Sequence, residues 1–325
     1  MQNFNHMIAS ARSQFVSTVV ANKLLCREHY RLVLCVADFP ATEPGQFVQI
    51  SCRPMDVDEE ADAEHAWNES AFPKVSGVDL REVNAVLRRP FSLAGRRDPQ
   101  AGVELEIIHR VVGVGTDWLS KLAAGDTVHL LGPLGNRFTL PPPQTPAILV
   151  GGGVGIPPML YLAQKLASQA AVAFCGAVSR DLLPITLSER KVRPSSGGDD
   201  LVSPEPVVAE FAVHGIPSVI STDDGSFGFR GFVTQALERY LDANPSAKPV
   251  IYTCGPEPMM KRVADIAGGR GLPCQIAVER AMACGMGTCQ SCVIKVRRPM
   301  VSGRDWVYKL ACTDGPIFGG AELLW

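Results

Sequence analysis

Ala147-Ile148-Leu149-Val150-Gly151-Gly152-Gly153-Val154-Gly155-Ile156-Pro157-Pro158 is a four-residue apolar run, a glycine-rich turn and two prolines. Prolines suit a first helical turn, where a missing N–H does no harm. The stretch therefore reads as strand, turn and helix, the helix covering 157–168. Four glycines in five positions let the backbone approach a bulky anion, and a helix N-terminus adds unpaired N–H groups and the positive end of a dipole. The spacing of Gly151, Gly153 and Gly155 departs from G-x-G-x-x-G, so the turn serves either a ligand or tight packing.

Downstream, runs at 171–177, 218–222 and 249–253 read as strands, and 232–241 and 257–267 as helices. Strands alternating with helices imply a doubly wound parallel sheet. A second Gly/Pro turn, Thr253-Cys254-Gly255-Pro256-Glu257-Pro258-Met259, sits at a strand end. Ligands of open α/β sheets collect beyond such ends, so the two turns together point to a nucleotide cleft. Upstream, short runs at 16–20, 30–37, 46–51, 103–111 and 126–131 predict a closed antiparallel barrel or sandwich. Residues 56–86 interrupt it with Asp56, Asp58, Glu59, Glu60, Asp62 and Glu64, a surface insertion spanning about 54–87. A stiff linker, Pro141-Pro142-Pro143, separates barrel and sheet, and 194–206 is a polar excursion. The expected units are 1–142, 143–270 (closed by Gly268-Gly269-Arg270-Gly271) and 271–325.

Composition narrows the classes further. At 325 residues and ~150 per domain, two or three domains fit. With 46% hydrophobic and 20% charged residues the chain is globular, not disordered. Its 31 basic against 33 acidic residues leave no surplus for a nucleic-acid backbone or an anionic membrane. The most apolar stretch, 147–163, is broken by glycine and proline, and the N-terminus lacks a secretory pattern, so a cytoplasmic chain with no membrane partner is expected. Six dispersed histidines offer no acid–base pair.

Of ten cysteines, Cys284, Cys289, Cys292 and Cys312 fall within 29 residues, while the rest are scattered and read as small buried hydrophobes. The spacing C-x4-C-x2-C, then nineteen residues to the fourth cysteine, matches the plant-type [2Fe–2S] pattern. The rival is a zinc site of four cysteines, but zinc ribbons use two C-x2-C knuckles and this chain has one.

Arg89-Pro90-Phe91-Ser92-Leu93, Gly113-Val114-Gly115-Thr116, Gly132-Pro133-Leu134-Gly135-Asn136, the glycine turn and 253–258, in this order, resemble the ferredoxin–NADP reductase superfamily. With the cysteine module the chain is most similar to the electron-transfer subunits of NAD-dependent dihydroorotate dehydrogenases. That resemblance implies an FAD-binding β-barrel, an NAD-binding α/β domain and a small C-terminal [2Fe–2S] module. It implies that Arg89 pairs with the flavin pyrophosphate, Pro90 and Phe91 lie by the flavin, and Ser92 reaches N5. It also implies that the amides from Gly113, Val114 and Gly115 to Thr116 face the FAD phosphates. Gly151, Gly152, Gly153 and Gly155 would face the NAD pyrophosphate, with Cys254, Gly255 and Pro256 near the nicotinamide. Phe91 lacks a tyrosine hydroxyl, so a role needing one is lost. After the second strand of the sheet, Asp181 suits a free ribose and Arg180 a 2′-phosphate, leaving NAD or NADP open. The implied partner is an FMN-containing dihydroorotate dehydrogenase catalytic subunit. A reductase serving a hydrogenase, sulfite reductase or oxygenase would share these motifs, and a non-catalytic redox sensor is the other alternative.

Overall fold

The computed structural model describes residues 13–54, 85, 87–166, 171–188, 202–301 and 304–325. The acidic insertion, apart from Ala85, and residues 194–201 of the second excursion lie outside the described residues.

Among the described residues the N-terminal unit is one antiparallel sheet. Its strands are β1 (Ser13–Cys26), β2 (His29–Val36), β3 (Phe47–Ile50), β4 (Arg89–Ser92), β5 (Gly95–Arg97), β6 (Val103–Arg110) and β7 (Thr127–Leu134). They lie in the order β4-β3-β7-β1-β2-β6-β5. Alternation decides what faces inward. Val48 and Ile50 of β3 join Leu32, Leu34, Leu105 and Ile107 in the barrel core, while Phe47 points outward into a different core. The edge strands β4 and β5 are linked by residues 93–94 alone. The Leu93 and Ala94 amides donate to the Gln46 and Glu106 carbonyls at 3.2 and 2.8 Å. The expected barrel is therefore a curled sheet closed by this link, not by a β4–β5 ladder. After β6 comes α1 (Val114–Ser120), so Gly113 to Thr116 enter a helix.

The second unit contains β8 (Ala147–Gly152), α2 (Ile156–Lys165), β9 (Ala171–Ala177), α3 (Ala209–Ala212), β10 (Ser218–Thr222), β11 (Phe229–Arg230), α4 (Val233–Ala243), β12 (Val250–Cys254), α5 (Glu257–Gly269) and β13 (Cys274–Ala277). The last segment adds β14 (Val293–Val301), β15 (Arg304–Leu310), β16 (Ile317–Gly319) and β17 (Leu323–Leu324). The second sheet runs β11-β10-β9-β8-β12-β13-β16, parallel except for β16. It is covered on both faces, which is why β8 is apolar throughout. Leu149 packs with Ile156, Met159 and Leu160 of α2, whereas Ile148 and Val150 pack with Leu237 of α4 and Val263 of α5.

The sheet crosses the boundary expected after residue 270. Cys274–Ala277 continues the ladder of β12, and Ile317–Gly319 pairs with it from the C-terminal segment. The third sheet, β15-β14-β17, rests on a core drawn from every unit: Phe47, Leu131 and Leu134 of the barrel, Ile276 of the parallel sheet, and Cys292, Ile294, Cys312 and Phe318. Among the described residues no helix is long and apolar enough to cross a membrane.

Candidate functional site

Strands β9 to β11 lie on one side of β8 and β12 to β13 on the other, so the winding reverses between β8 and β12. Crevices open at such reversals. Both predicted turns are there, with Gly151 of β8 opposite Cys254 of β12. Gly151 and Gly152 belong to β8, and Gly153–Gly155 is a single tight turn into α2. A Cβ on Gly155 would stand 2.2 Å from the Cys254 carbonyl oxygen, so this glycine lets the two turns touch. Gly153 differs: its φ is +52° and nothing lies within 4 Å of where its Cβ would be. Of the two alternatives in the sequence, packing accounts for Gly155, whereas Gly153 faces open space.

Cys254 is buried, and desolvation, aided by Glu279, pushes its thiol up to about 12, so it is a neutral group. Gly255 and Pro256 lead into α5, and the fully buried Thr253 hydroxyl beside them has no partner among the described residues. Asp181 is already committed: Ser179 Oγ donates to its carboxylate, which pairs with Arg27 at 3.1 Å. The Arg180 guanidinium lies 5.1 Å from the Phe227 ring centroid, and its amide donates to Ser226 Oγ at 2.8 Å.

Arg89, Pro90, Phe91 and Ser92 are β4 itself, at the sheet edge beside β3. The Arg89 guanidinium donates to the Leu87 carbonyl at 3.0 Å. Phe91 meets His109 edge to face at 6.1 Å, and His109 stacks on Tyr30 at 5.8 Å. His109 is 2% exposed with neither ring nitrogen partnered among the described residues, and burial, then His29, push it down to about 4. Buried Arg88 Nε, just before β4, and Gln49 Oε1, on the neighbouring β3, are also without partners among the described residues. Buried polar atoms are ordinarily satisfied, so these exceptions are notable, although His109 stands with Phe91 on the inward face and Gln49 points outward. Of the Gly113 to Thr116 amides, that of Gly113 is already engaged. Val112 and Gly113 N–H already donate to Thr116 Oγ1 at 2.9 and 3.2 Å.

The four cysteines occupy the loop before β14 and the turn after β15. The Met286 and Cys289 amides donate to Cys284 Sγ, each at 3.4 Å. Gly285, Gly287 and Gln290 have positive φ, which folds the loop around that sulfur. Cys289 Sγ lies 3.2 Å from Ser291 Oγ, and this contact together with backbone amides pulls the exposed thiol down to about 6. Buried Cys312 faces Cys292; desolvation, then this neighbour, push it up to about 11, partly offset by the Gly287 amide. Among the described residues no three His, Cys, Asp or Glu side chains already converge on one metal-sized point. The donors nevertheless fit an anionic sulfur-rich centre, because thiolates surrounded by backbone N–H groups are what such a centre requires.

Two contacts that the sequence did not announce join these regions. Asn136 Nδ2 donates to the Asp314 and Ile317 carbonyls, both at 2.9 Å, and its Oδ1 accepts from Ile317 N–H at 2.8 Å. Gln49 Nε2 reaches the Ala283 carbonyl at 3.4 Å, from β3 to the residue before Cys284. Trp325 packs against the shared core.

Barrel, parallel sheet and cysteine module in this order define a reductase-type redox protein. The solved NADH-dependent reduced ferredoxin-NADP oxidoreductase has the same fold, with TM-score 0.65 at 25% identity over 95% of this chain and 90% of that one. A family model for the iron-sulfur cluster binding domain of dihydroorotate dehydrogenase B matches residues 279–324. The dihydroorotate dehydrogenase B (NAD(+)) electron transfer subunit of Geobacillus thermodenitrificans is 33% identical over 94% of this chain and 97% of its own. That of Desulforamulus reducens is 34% identical over 74% and 81%. The chain belongs to this family of electron-transfer subunits and is an oxidoreductase subunit.

Proposed function

We propose that the chain takes electrons from an FMN-containing dihydroorotate dehydrogenase catalytic subunit and delivers them to NAD+. Cys284, Cys289, Cys292 and Cys312 would hold a [2Fe–2S] cluster, β4 an FAD, and the cleft between β8 and β12 the dinucleotide. Once bound, these groups supply the redox chemistry: the cluster handles single electrons, the nicotinamide a hydride, and the flavin both.

The protein's part is binding and placement. Arg89 offers a guanidinium fork to a pyrophosphate, and Ser92 a hydroxyl on the outward face of β4. Gly153 leaves room for a second pyrophosphate at the start of α2, while Cys254, neutral and buried, lines the nicotinamide end without adding charge. NAD rather than NADP follows from the family; with Asp181 bound to Arg27, ribose choice does not rest on a free carboxylate there. The observation that carries the reading is the core shared by Phe47, Ile276, Cys292 and Cys312, which joins β3, the neighbour of β4, to the parallel sheet and the cysteine module.

Anaerobic co-purification with the catalytic subunit, followed by dihydroorotate with NAD+, tests it. NADH formation that requires this chain is expected. Orotate and NADH formed equally well without it would overturn the assignment.

A further inference from the structure

We infer that Gln49 is a positioning residue that clamps the Cys284 loop against the flavin strand; this rests on the function proposed above. Gln49 is fully buried on β3, directly opposite Pro90 of β4. Residues opposite one another in a ladder share a face. Val48 and Ile50 point into the barrel, so Gln49 points out on the side of Pro90 and Ser92.

Its amide meets the loop on both sides of Cys284. Nε2 donates to the Ala283 carbonyl at 3.4 Å, and a Cβ on Gly285 would lie 2.6 Å from Oε1. Gly285 has φ +69°, so its bare backbone lies flat on the amide where a side chain would both clash and be strained. One side chain thus links β3, the ladder partner of the strand assigned to the flavin, to the loop of the residue assigned to the cluster. Oε1 has no partner among the described residues although the residue is wholly buried. An acceptor in that position is available to a donor of the loaded site. No chemical step is added: the amide sets where the loop sits, and through-protein electron transfer falls steeply with separation.

The test uses the holo complex with Gln49→Leu, which removes both polar atoms, and Gln49→Glu, nearly isosteric but anionic and without the donor. Iron, sulfide and FAD content are measured first, then the electron paramagnetic resonance spectrum and potential of the reduced cluster, then the rate of cluster–flavin electron exchange. Expected are an altered spectrum in both variants, a lower cluster potential in Gln49→Glu, and exchange slowed about tenfold in Gln49→Leu. Loss of iron from Gln49→Leu, with FAD and circular dichroism intact, also supports the clamp. If Gln49→Leu does not fold, Gln49→Glu decides. Spectra, potential and exchange rate unchanged in folded, loaded variants overturn the inference. A wild-type complex without iron or flavin refutes the function proposed above instead.

Discussion

The turn after β8 and the loop before β14 both depend on glycine, for opposite ends. At the first, Gly155 is pressed against the Cys254 carbonyl and buried among ladders and helices. At the second, Gly285 and Gly287 turn the chain back so that amides reach Cys284 Sγ, and Cys289 stays exposed. The first site is preformed by packing. The second is open, and a cluster bound there would order it further, since metal binding and local folding are coupled.

The largest effect belongs to the packed turn. Gly155→Val drives a branched side chain into a backbone carbonyl, and unfolding free energy should fall by about 3 kcal/mol or more, read from denaturant midpoints. A loss under ~1 kcal/mol would mean that the turn is as yielding as the cysteine loop. Iron removal by a chelator is the reciprocal experiment. Hydrogen exchange should accelerate across 284–292 and stay slow at the end of β8; uniform acceleration would erase the contrast.

Strand β6 offers a third case, buried yet polar. Burial, then His29, push His109 from its ordinary 6.5 down to about 4 in the folded chain, so the unfolded chain binds the extra proton between those values. Stability should therefore fall as pH drops from ~6.5 to ~4, by on the order of 3 kcal/mol. Urea midpoints at several pH values, with His109→Gln flattening that part of the profile, check it.

Asn136→Ala removes a side chain that makes three bonds across to the C-terminal segment and should cost about 1–3 kcal/mol, seen as a lower thermal midpoint. The smallest stability change is expected at Gly153→Ala, about 1 kcal/mol from its positive φ, alongside a clear loss of dinucleotide affinity in titration calorimetry. Unchanged affinity would turn Gly153 into a packing residue like Gly155.

What was legible in the sequence was local. The apolar run before Gly151, the prolines of α2 and the spacing of Cys284, Cys289 and Cys292 each carry their meaning within a dozen residues. The closure of the curled sheet through Leu93 and Ala94 was not legible, because it depends on which strands are edges. Nor was the place of Cys274–Ala277 in the parallel sheet, since the glycines before it read as an ending. Asn136 and Gln49 act on residues 178 and 234 positions away, and no periodicity marks an amide that waits for so distant a carbonyl. The sequence named candidate cofactor residues; the contacts that hold those regions together came from the fold.

The central claim is that flavin, cluster and dinucleotide communicate within this one polypeptide. Anaerobic addition of NADH to the holo chain, followed by absorbance and electron paramagnetic resonance, tests it most directly. Bleaching of a yellow chromophore together with the signal of a reduced [2Fe–2S] centre is expected, the signal alone vanishing in Cys292→Ser. Flavin that bleaches while loaded iron and sulfide give no signal, or a chain that binds neither, would contradict the account.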